Sequence, residues 1–171
     1  MSNQIDDFLN MNFRIGQGYD IHQLVDHRSL ILGGVKIDQN MGLLGHSDAD
    51  VLSHALTDSI LGGAGLLDMG HFFPDNDPLF KGIDSQKLLA KAISMVREKG
   101  LEIVNLDSTI IAESHKMQPF IKIMREKISK TLNIKVSQIM IKATTNETLD
   151  AVGAKKAIAA HAICLLTNSN I

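Results

Sequence analysis

The sequence predicts an α+β protein: a two-layer sandwich of one mixed β-sheet with the helices on one face. Three observations lead there. The predicted elements run β-β-α-α-β-α-β-loop-β, an order with two adjacent helices that does not suit a doubly wound parallel sheet. There is no internal repeat, and 171 residues with 44% hydrophobic content suit one domain with a sizeable core. The last strand, "IAAHAICLL", is apolar nearly throughout, so the sheet face turned away from the helices needs cover, which other subunits would supply.

The elements follow in order. "FRIGQGYDIHQL" mixes apolar and polar residues with glycines, as a strand does where something approaches it closely. "LILGGVKI" is a second strand, able to pair back on the first as a hairpin, and "DQNMGLLG" is a loop. A helix spans about 48–61 and ends at the glycines of "GGAG". "LLDMGHFFPDNDPLFKG" holds two of the three prolines and reads as a long ordered loop of functional character. "SQKLLAKAISMVREKG" is an amphipathic helix with Leu88, Leu89, Ala92 and Val96 as its apolar stripe and Gly100 as its stop. "LEIVNLDSTIIA" is a strand, "PFIKIMREKISKTL" a helix, "VSQIMIKAT" a strand, and "IAAHAICLL" closes the sheet.

Residues 1–13 read as a loosely ordered extension, with Met11 as a conceivable start, and 14–171 as a single domain. A formal net charge of -2 offers no footprint for sequence-independent nucleic-acid binding. No apolar stretch is long enough to span a bilayer, and the acidic N-terminus resembles no secretory or transit signal. The expected address is cytoplasmic. The one cysteine, Cys164, lies in an apolar run and reads as a buried, inert thiol.

Chemistry concentrates in two places. In "HSDADVLSHALTD", Val51, Leu52, Ala55, Leu56 and Ile60 cover one side of the helix, while Asp50, His54 and Asp58 fall on the other at i, i+4 and i+8. Taken alone, that edge is a solvated face, with Ser47 and Asp50 forming a capping box. The earlier "GYDIH" changes the weighing. Asp20 and His22 point to one face of a strand, roughly 7 Å apart. His54 would complete the three protein ligands of a catalytic zinc site, with Asp50 or Asp58 orienting its free ring nitrogen. The second place is "IKATTNETL", where Thr144, Thr145 and Glu147 suit a phosphate with a hard cation such as Mg2+ or Mn2+. They suit a Thr-capped helix N-terminus equally well. Of the other histidines, His27 falls in a turn, His71 in the long loop, and His161 in the core or an interface.

"RIGQGYDIH", "GLLGHSDADVLSHALTDSILGGAGLLDMG", "FFPDNDPLFKG", "STIIAESHKM" and "IKATTNETL", in that order, closely resemble the 2-C-methyl-D-erythritol 2,4-cyclodiphosphate synthases. The resemblance implies a homotrimer with active sites between subunits, working in the non-mevalonate isoprenoid pathway. The implied substrate is 4-diphosphocytidyl-2-C-methyl-D-erythritol 2-phosphate, whose 2-phosphate attacks the β-phosphate and expels CMP. Asp20, His22 and His54 match the family's zinc ligands, and Glu147 the ligand of a second ion, Mg2+ or Mn2+. His46 and Ser47 match phosphate contacts, as do Thr144 and Thr145, with His46 and Thr145 assigned to the transition state. Asp68, Met69 and Gly70, with Phe73, Pro74, Asp75, Asn76 and Asp77, match the loop around the methylerythritol. Ala112, Lys116 and Met117 match the cytidine pocket. One segment departs: Ala151 and Ala154 stand where many members carry an aromatic and an arginine lining a cavity on the trimer axis. His115 likewise replaces a common proline. The same residues would also serve a metal-dependent phosphohydrolase, or an oligomer holding a structural metal.

Overall fold

The computed structural model describes residues 12–38 and 40–168. Most of the expected N-terminal extension therefore lies outside the described residues. The described residues form seven strands: β1 (Arg14–Asp26), β2 (Leu30–Leu32), β3 (Val35–Asp38), β4 (Met41–Leu43), β5 (Leu101–Ile111), β6 (Ile139–Thr144) and β7 (Ala157–Asn168). The helices are α1 (Val51–Gly63), α2 (Met69–Phe72), α3 (Ser85–Glu98), α4 (Gln118–Leu132) and α5 (Asp150–Gly153). Five strands make one sheet in the order β4-β1-β7-β5-β6, and only β5 and β6 run parallel, so the sheet is mixed as expected.

Alternation along each strand decides which face is core. Gly16, Gly18, Ile158, Ala160, Ala162, Cys164, Leu166, Leu106, Ile110 and Ile141 all point to the side covered by α1, α3 and α4. The intervening residues look the other way. Ile15 is 74% exposed, and Tyr19, Ile21, Ile163 and Met140 are exposed with it, so the second face is open and partly apolar. His161 belongs to this face, stacked beside Tyr19 with ring centroids 4.6 Å apart; in the single chain it is not a core histidine. The one-turn α5 departs from the one-sided arrangement, since its Val152 packs on Ala157, Ala159 and Ile111 at one end of the open face.

Four segments differ from expectation for local reasons. "LILGGVKI" is not one strand pairing with β1. It folds on itself at Gly33 and Gly34, whose φ values of 56° and 70° make the two-residue turn that only such residues adopt freely, giving a separate β2–β3 hairpin. "MGL", expected in a loop, pairs with the end of β1 as β4. The first three residues of "VSQIMIKAT" are a 3-10 turn, and the long "LLDMGHFFPDNDPLFKG" loop contains α2 and a second 3-10 turn at Pro78–Phe80.

Helix α1 begins at Val51, not at 48, and Ser47 with Asp50 is not its capping box. Asp50 is itself the N-cap, accepting from the Ser53 amide at 3.0 Å. It is fully buried and also accepts from the Ser53 hydroxyl (2.7 Å) and from the Gly33 and Gly34 amides (2.9 and 2.7 Å). Burial pushes this carboxyl up while those donors pull it back. One carboxylate thus clamps the hairpin turn to the start of the helix. The helix's polar edge is not solvated either: Ser53, His54, Thr57 and Ser59 are all buried, and the Thr57 and Ser59 hydroxyls donate back to the Ser53 and Leu56 carbonyls.

Helix α1 sits directly on β1 because β1 presents only Gly16 and Gly18 beneath Ala55 and Ser59. A Cβ on Gly16 would lie 1.9 Å from the Ser59 carbonyl oxygen, and one on Gly18 would lie 2.0 Å from that of Ala55. Cys164, on β7 alongside, is buried with its thiol toward the Ser59 carbonyl at 2.9 Å, and burial raises its pKa to about 11, in keeping with an inert thiol. Gly18→Ala is expected to lower stability by at least about 2 kcal/mol, because rigid backbone must move to admit the methyl group. Urea unfolding should show this as a lower midpoint; an unchanged midpoint would mean that the helix is not seated on the strand there.

Candidate metal centre and substrate pockets

The close seating of α1 on β1 brings a strand and a helix into side-chain contact at the far end of both. Asp20 and His22 point from β1 toward the helices, and His54 meets them from the first turn of α1. Three ligand atoms converge: His54 Nδ1 is 2.9 Å and His22 Nε2 is 3.1 Å from Asp20 Oδ2, and the two nitrogens are 3.3 Å apart. In a tetrahedral site with bonds of about 2.0–2.1 Å, neighbouring ligands lie roughly 3.3 Å apart. The observed triangle matches that spacing within a few tenths of an ångström, so the group could hold a metal ion of that size.

The second nitrogen of each ring is spoken for. His22 Nδ1 donates to the Leu44 carbonyl oxygen at 2.8 Å, which leaves Nε2 with a lone pair aimed at the triad. His54 Nε2 lies 2.9 Å from the Ser85 hydroxyl and 3.1 Å from that of Ser47. Neither Asp50 nor Asp58 orients His54, contrary to the sequence reading. Asp50 is turned into the hairpin, and Asp58 accepts from the Met69 amide at 2.7 Å, tying α2 to α1. Burial raises the Asp58 carboxyl; the Met69 amide opposes that, while the charges of Asp68 and Asp20 reinforce it.

Beside the triad lies a cavity of about 380 Å3 lined by His22, His46, Ser47, His54, Met69, Gly70, Phe73 and Asp75, together with Phe80 and with Leu88, which the sequence assigned only to the apolar stripe of its helix. The His46 Nε2–H donates to the Asp77 carbonyl at 3.1 Å, linking the "HSD" segment to the opposite wall. Asp68 caps α2 and borders a neighbouring recess with Tyr19 and Asp58, while the Asp77 carboxylate caps the 3-10 turn. Pro74 and Asn76 do not line the cavity.

A second cavity, about 590 Å3, is lined by Ala112, Lys116, Met117, Thr144 and Thr145, with Glu113, Ser114 and His115. The Thr145 hydroxyl donates to Glu147 Oε1 at 2.5 Å, and Glu113 holds the same loop by accepting from the Asn146 amide. The alternative of a Thr-capped helix does not hold: Thr145 follows the strand, and Glu147 and Thr148 take positive φ before α5 begins at Asp150. His115 Nε2 lies 3.3 Å from Asp38, joining this pocket to the hairpin. The two cavities share no residue. Register places Asp20 opposite Ala160, Ala160 opposite Ile110, and Ile110 opposite Ala143. Three inter-strand steps of about 4.8 Å separate the triad from the Thr144 pocket by roughly 14 Å.

A family model described as the YgbB family matches residues 13–167, and the chain belongs to that family. Among its relatives, the 2-C-methyl-D-erythritol 2,4-cyclodiphosphate synthase of Thermosynechococcus vestitus is 51% identical over 156 residues, which is 91% of this chain and 97% of that protein. The protein of the same name from Clostridioides difficile is 56% identical over 153 residues, 90% of this chain and 95% of that one. In three dimensions, the CDP complex of IspF from Plasmodium falciparum superposes with a TM-score of 0.82 at 41% identity, covering 93% of this chain and 98% of that chain. The bifunctional IspDF from Campylobacter jejuni reaches a TM-score of 0.90 at 42% identity; this chain spans 43% of that longer one.

The triad's protonation has an opposite sign with and without metal. Burial lowers the His22 imidazole, but the hydrogen bond and charge of Asp20 outweigh it and hold the net value above the ordinary one. Burial raises Asp20, yet hydrogen bonds and charge from His22 and His54 bring it well below the usual carboxylate range. In metal-free protein, the His22 contribution to stability is full below about pH 6.5 and fades as pH rises through its raised pKa. The Asp20 contribution is full above about pH 4 and fades in strong acid. A metal ion competes with the His22 proton, so stabilisation by zinc should grow from pH 5.5 to 7.5 while the metal-free melting temperature falls. A zinc-induced shift independent of pH would argue against His22 as a ligand.

Proposed function

We infer that the chain catalyses the reaction named by its relatives, within isoprenoid biosynthesis. It is a phosphorus-oxygen lyase that closes 4-diphosphocytidyl-2-C-methyl-D-erythritol 2-phosphate into 2-C-methyl-D-erythritol 2,4-cyclodiphosphate and releases CMP. The observation that carries the reading is the convergence of Asp20, His22 and His54 at the mouth of a phosphate- and sugar-sized cavity. The CDP complex of the Plasmodium falciparum relative supports a cytidine nucleotide as the other part of the substrate.

Asp20, His22 and His54 would hold zinc or another divalent transition metal, and Glu147 with the substrate phosphates would hold Mg2+ or Mn2+. When bound, these ions polarise the phosphoryl group and neutralise charge building toward CMP. The nucleophile is an oxygen of the substrate's own 2-phosphate, already anionic near neutral pH, so the chain needs no general base. Its task is to hold two anions in line, an arrangement that contributes up to roughly 7–11 kcal/mol where orientation is complete. His46 and Ser47 would donate to phosphate ahead of α1, and Thr144 and Thr145 from the end of β6, with His46 and Thr145 meeting the transition state. Asp68, Met69, Gly70 and the 73–77 segment would enclose the methylerythritol. Buried Ala112 and Met117, with exposed Lys116, would receive the cytidine.

Both ions must act on one diphosphate, which is far shorter than the roughly 14 Å between the two half-sites of a single chain. A neighbouring copy bringing its Thr144 pocket to this chain's triad resolves the mismatch. A homotrimer packed through the open face bearing Ile15, Tyr19, Ile163 and Met140 provides such a neighbour. A cytoplasmic setting agrees with the reading, and among the described residues no helix is long and apolar enough to cross a membrane.

With the diphosphocytidyl substrate, Zn2+ and Mg2+, the expected products are CMP and a cyclic diphosphate, followed by 31P NMR. A linear phosphate product would instead favour hydrolysis. His54→Ala should lose at least about 100-fold in turnover with the oligomer intact by light scattering, as removal of a catalytic metal ligand requires. Dissociation or unfolding of that variant would favour a structural metal.

A further inference from the structure

We propose that Ser85 and Asp48 are positioning residues of the metal centre, and that together they determine which nitrogen of His54 faces it. This rests on the reading of Asp20, His22 and His54 as a metal site.

One hydrogen atom, that of the Ser85 hydroxyl, decides the tautomer. Ser85 is fully buried at the first position of α3, and its hydroxyl lies 2.9 Å from His54 Nε2. A serine hydroxyl has a single hydrogen to give. Here it goes to Asp48 Oδ1, while the Ser85 backbone N–H donates to Asp48 Oδ2 at 3.1 Å. An ionised carboxylate can only accept, so Asp48 leaves the hydroxyl no choice of direction. The Ser85 oxygen then meets His54 with its lone pairs alone, and Nε2 must carry the hydrogen between them. The Ser47 hydroxyl, 3.1 Å from the same nitrogen, receives the Ala49 amide and can accept here as well when its own hydrogen is given to the Ser85 oxygen 3.4 Å away.

A neutral imidazole with hydrogen on Nε2 has its lone pair on Nδ1. That is the atom 2.9 Å from Asp20 Oδ2 and 3.3 Å from His22 Nε2. The two histidines are therefore locked as opposite tautomers. A backbone carbonyl, Leu44, selects Nε2 of His22 as the ligand atom, and the Asp48–Ser85 pair selects Nδ1 of His54. The same contact docks the start of α3 onto the segment before α1, so metal geometry and helix packing share one carboxylate. His54 is only 6% exposed, and water cannot readily replace the serine.

The test uses the full-length protein and zinc alone, with affinity from chelator competition and ring protonation from 15N-detected histidine NMR. Zinc-loaded wild type should show His54 with a protonated, slowly exchanging Nε2 and metal on Nδ1. Ser85→Ala should bind zinc 10- to 100-fold more weakly, the range typical for loss of such a partner. Asp48→Asn should do the same, because its amide can donate to Ser85 and release the hydroxyl hydrogen toward His54. The double variant should lose no more than the larger single loss, since both act through one path. Unchanged zinc affinity in folded Ser85→Ala, additive losses in the double variant, or His54 ligation through Nε2 would each overturn the proposal. The wild-type NMR result stands even if a variant fails to fold. Absence of zinc binding by wild type would overturn the metal reading itself, a different failure from zinc bound with unaltered affinity in the variants.

Discussion

Helix α1 rests on strand β1 through backbone, and the rest of the molecule is arranged around that contact. With Gly16 and Gly18 under Ser59 and Ala55, the helix approaches so closely that a single methyl group would collide with a carbonyl oxygen. The approach has a chemical consequence at the end of the pair. Side chains from an extended strand and from the first helical turn reach the same few ångströms, which a helix standing off at the usual sheet-packing distance would not allow. Asp50 fixes where along the strand this happens, because its buried carboxylate holds the start of the helix to the Gly33–Gly34 turn.

Around that contact the fold keeps anions and their partners in balance. Asp20 is a carboxylate between two imidazoles, each presenting a nitrogen to the same small volume. In metal-free protein protons serve as the compensating charge, which is why His22 is raised and Asp20 lowered. A divalent ion answers the same need with a fixed geometry. The outer partners, Leu44 for His22 and Ser85 with Asp48 for His54, spend no flexibility on the task, since all are tied to backbone or helix ends. The threonines at the end of β6 are differently placed, exposed and followed by the positive-φ turn at Glu147 and Thr148. The two pockets lie at opposite sides of the sheet's width, and the sheet face turned away from the helices is open and partly apolar.

Much of this was legible in the residues. Strand alternation puts Asp20 and His22 on one face without any tertiary information, and helical periodicity separates His54 from the leucines that face the core. What escaped was decided by distant parts of the chain. The edge of α1 bearing Asp50, His54 and Asp58 reads as solvated by polarity alone, but Asp50 and His54 are buried and Asp58 is half-buried. Asp50 and Asp58 seemed natural partners for His54 by helical spacing; each is claimed instead by a backbone amide on another element. Ser85 and Asp48 carry no local signal, since 37 residues separate the two ends of their hydrogen bond. The Gly-Gly turn in "LILGGVKI" was a readable hairpin signal that the apolar run obscured.

The seating of α1 on β1 brings Asp20, His22 and His54 together as a group that could hold a metal ion. Anomalous diffraction at the zinc edge from zinc-loaded crystals tests it most directly. A single strong peak is expected about 2.0–2.1 Å from His22 Nε2, His54 Nδ1 and an Asp20 carboxylate oxygen. A peak bonded elsewhere, or none at this triad at saturating zinc, would contradict the account.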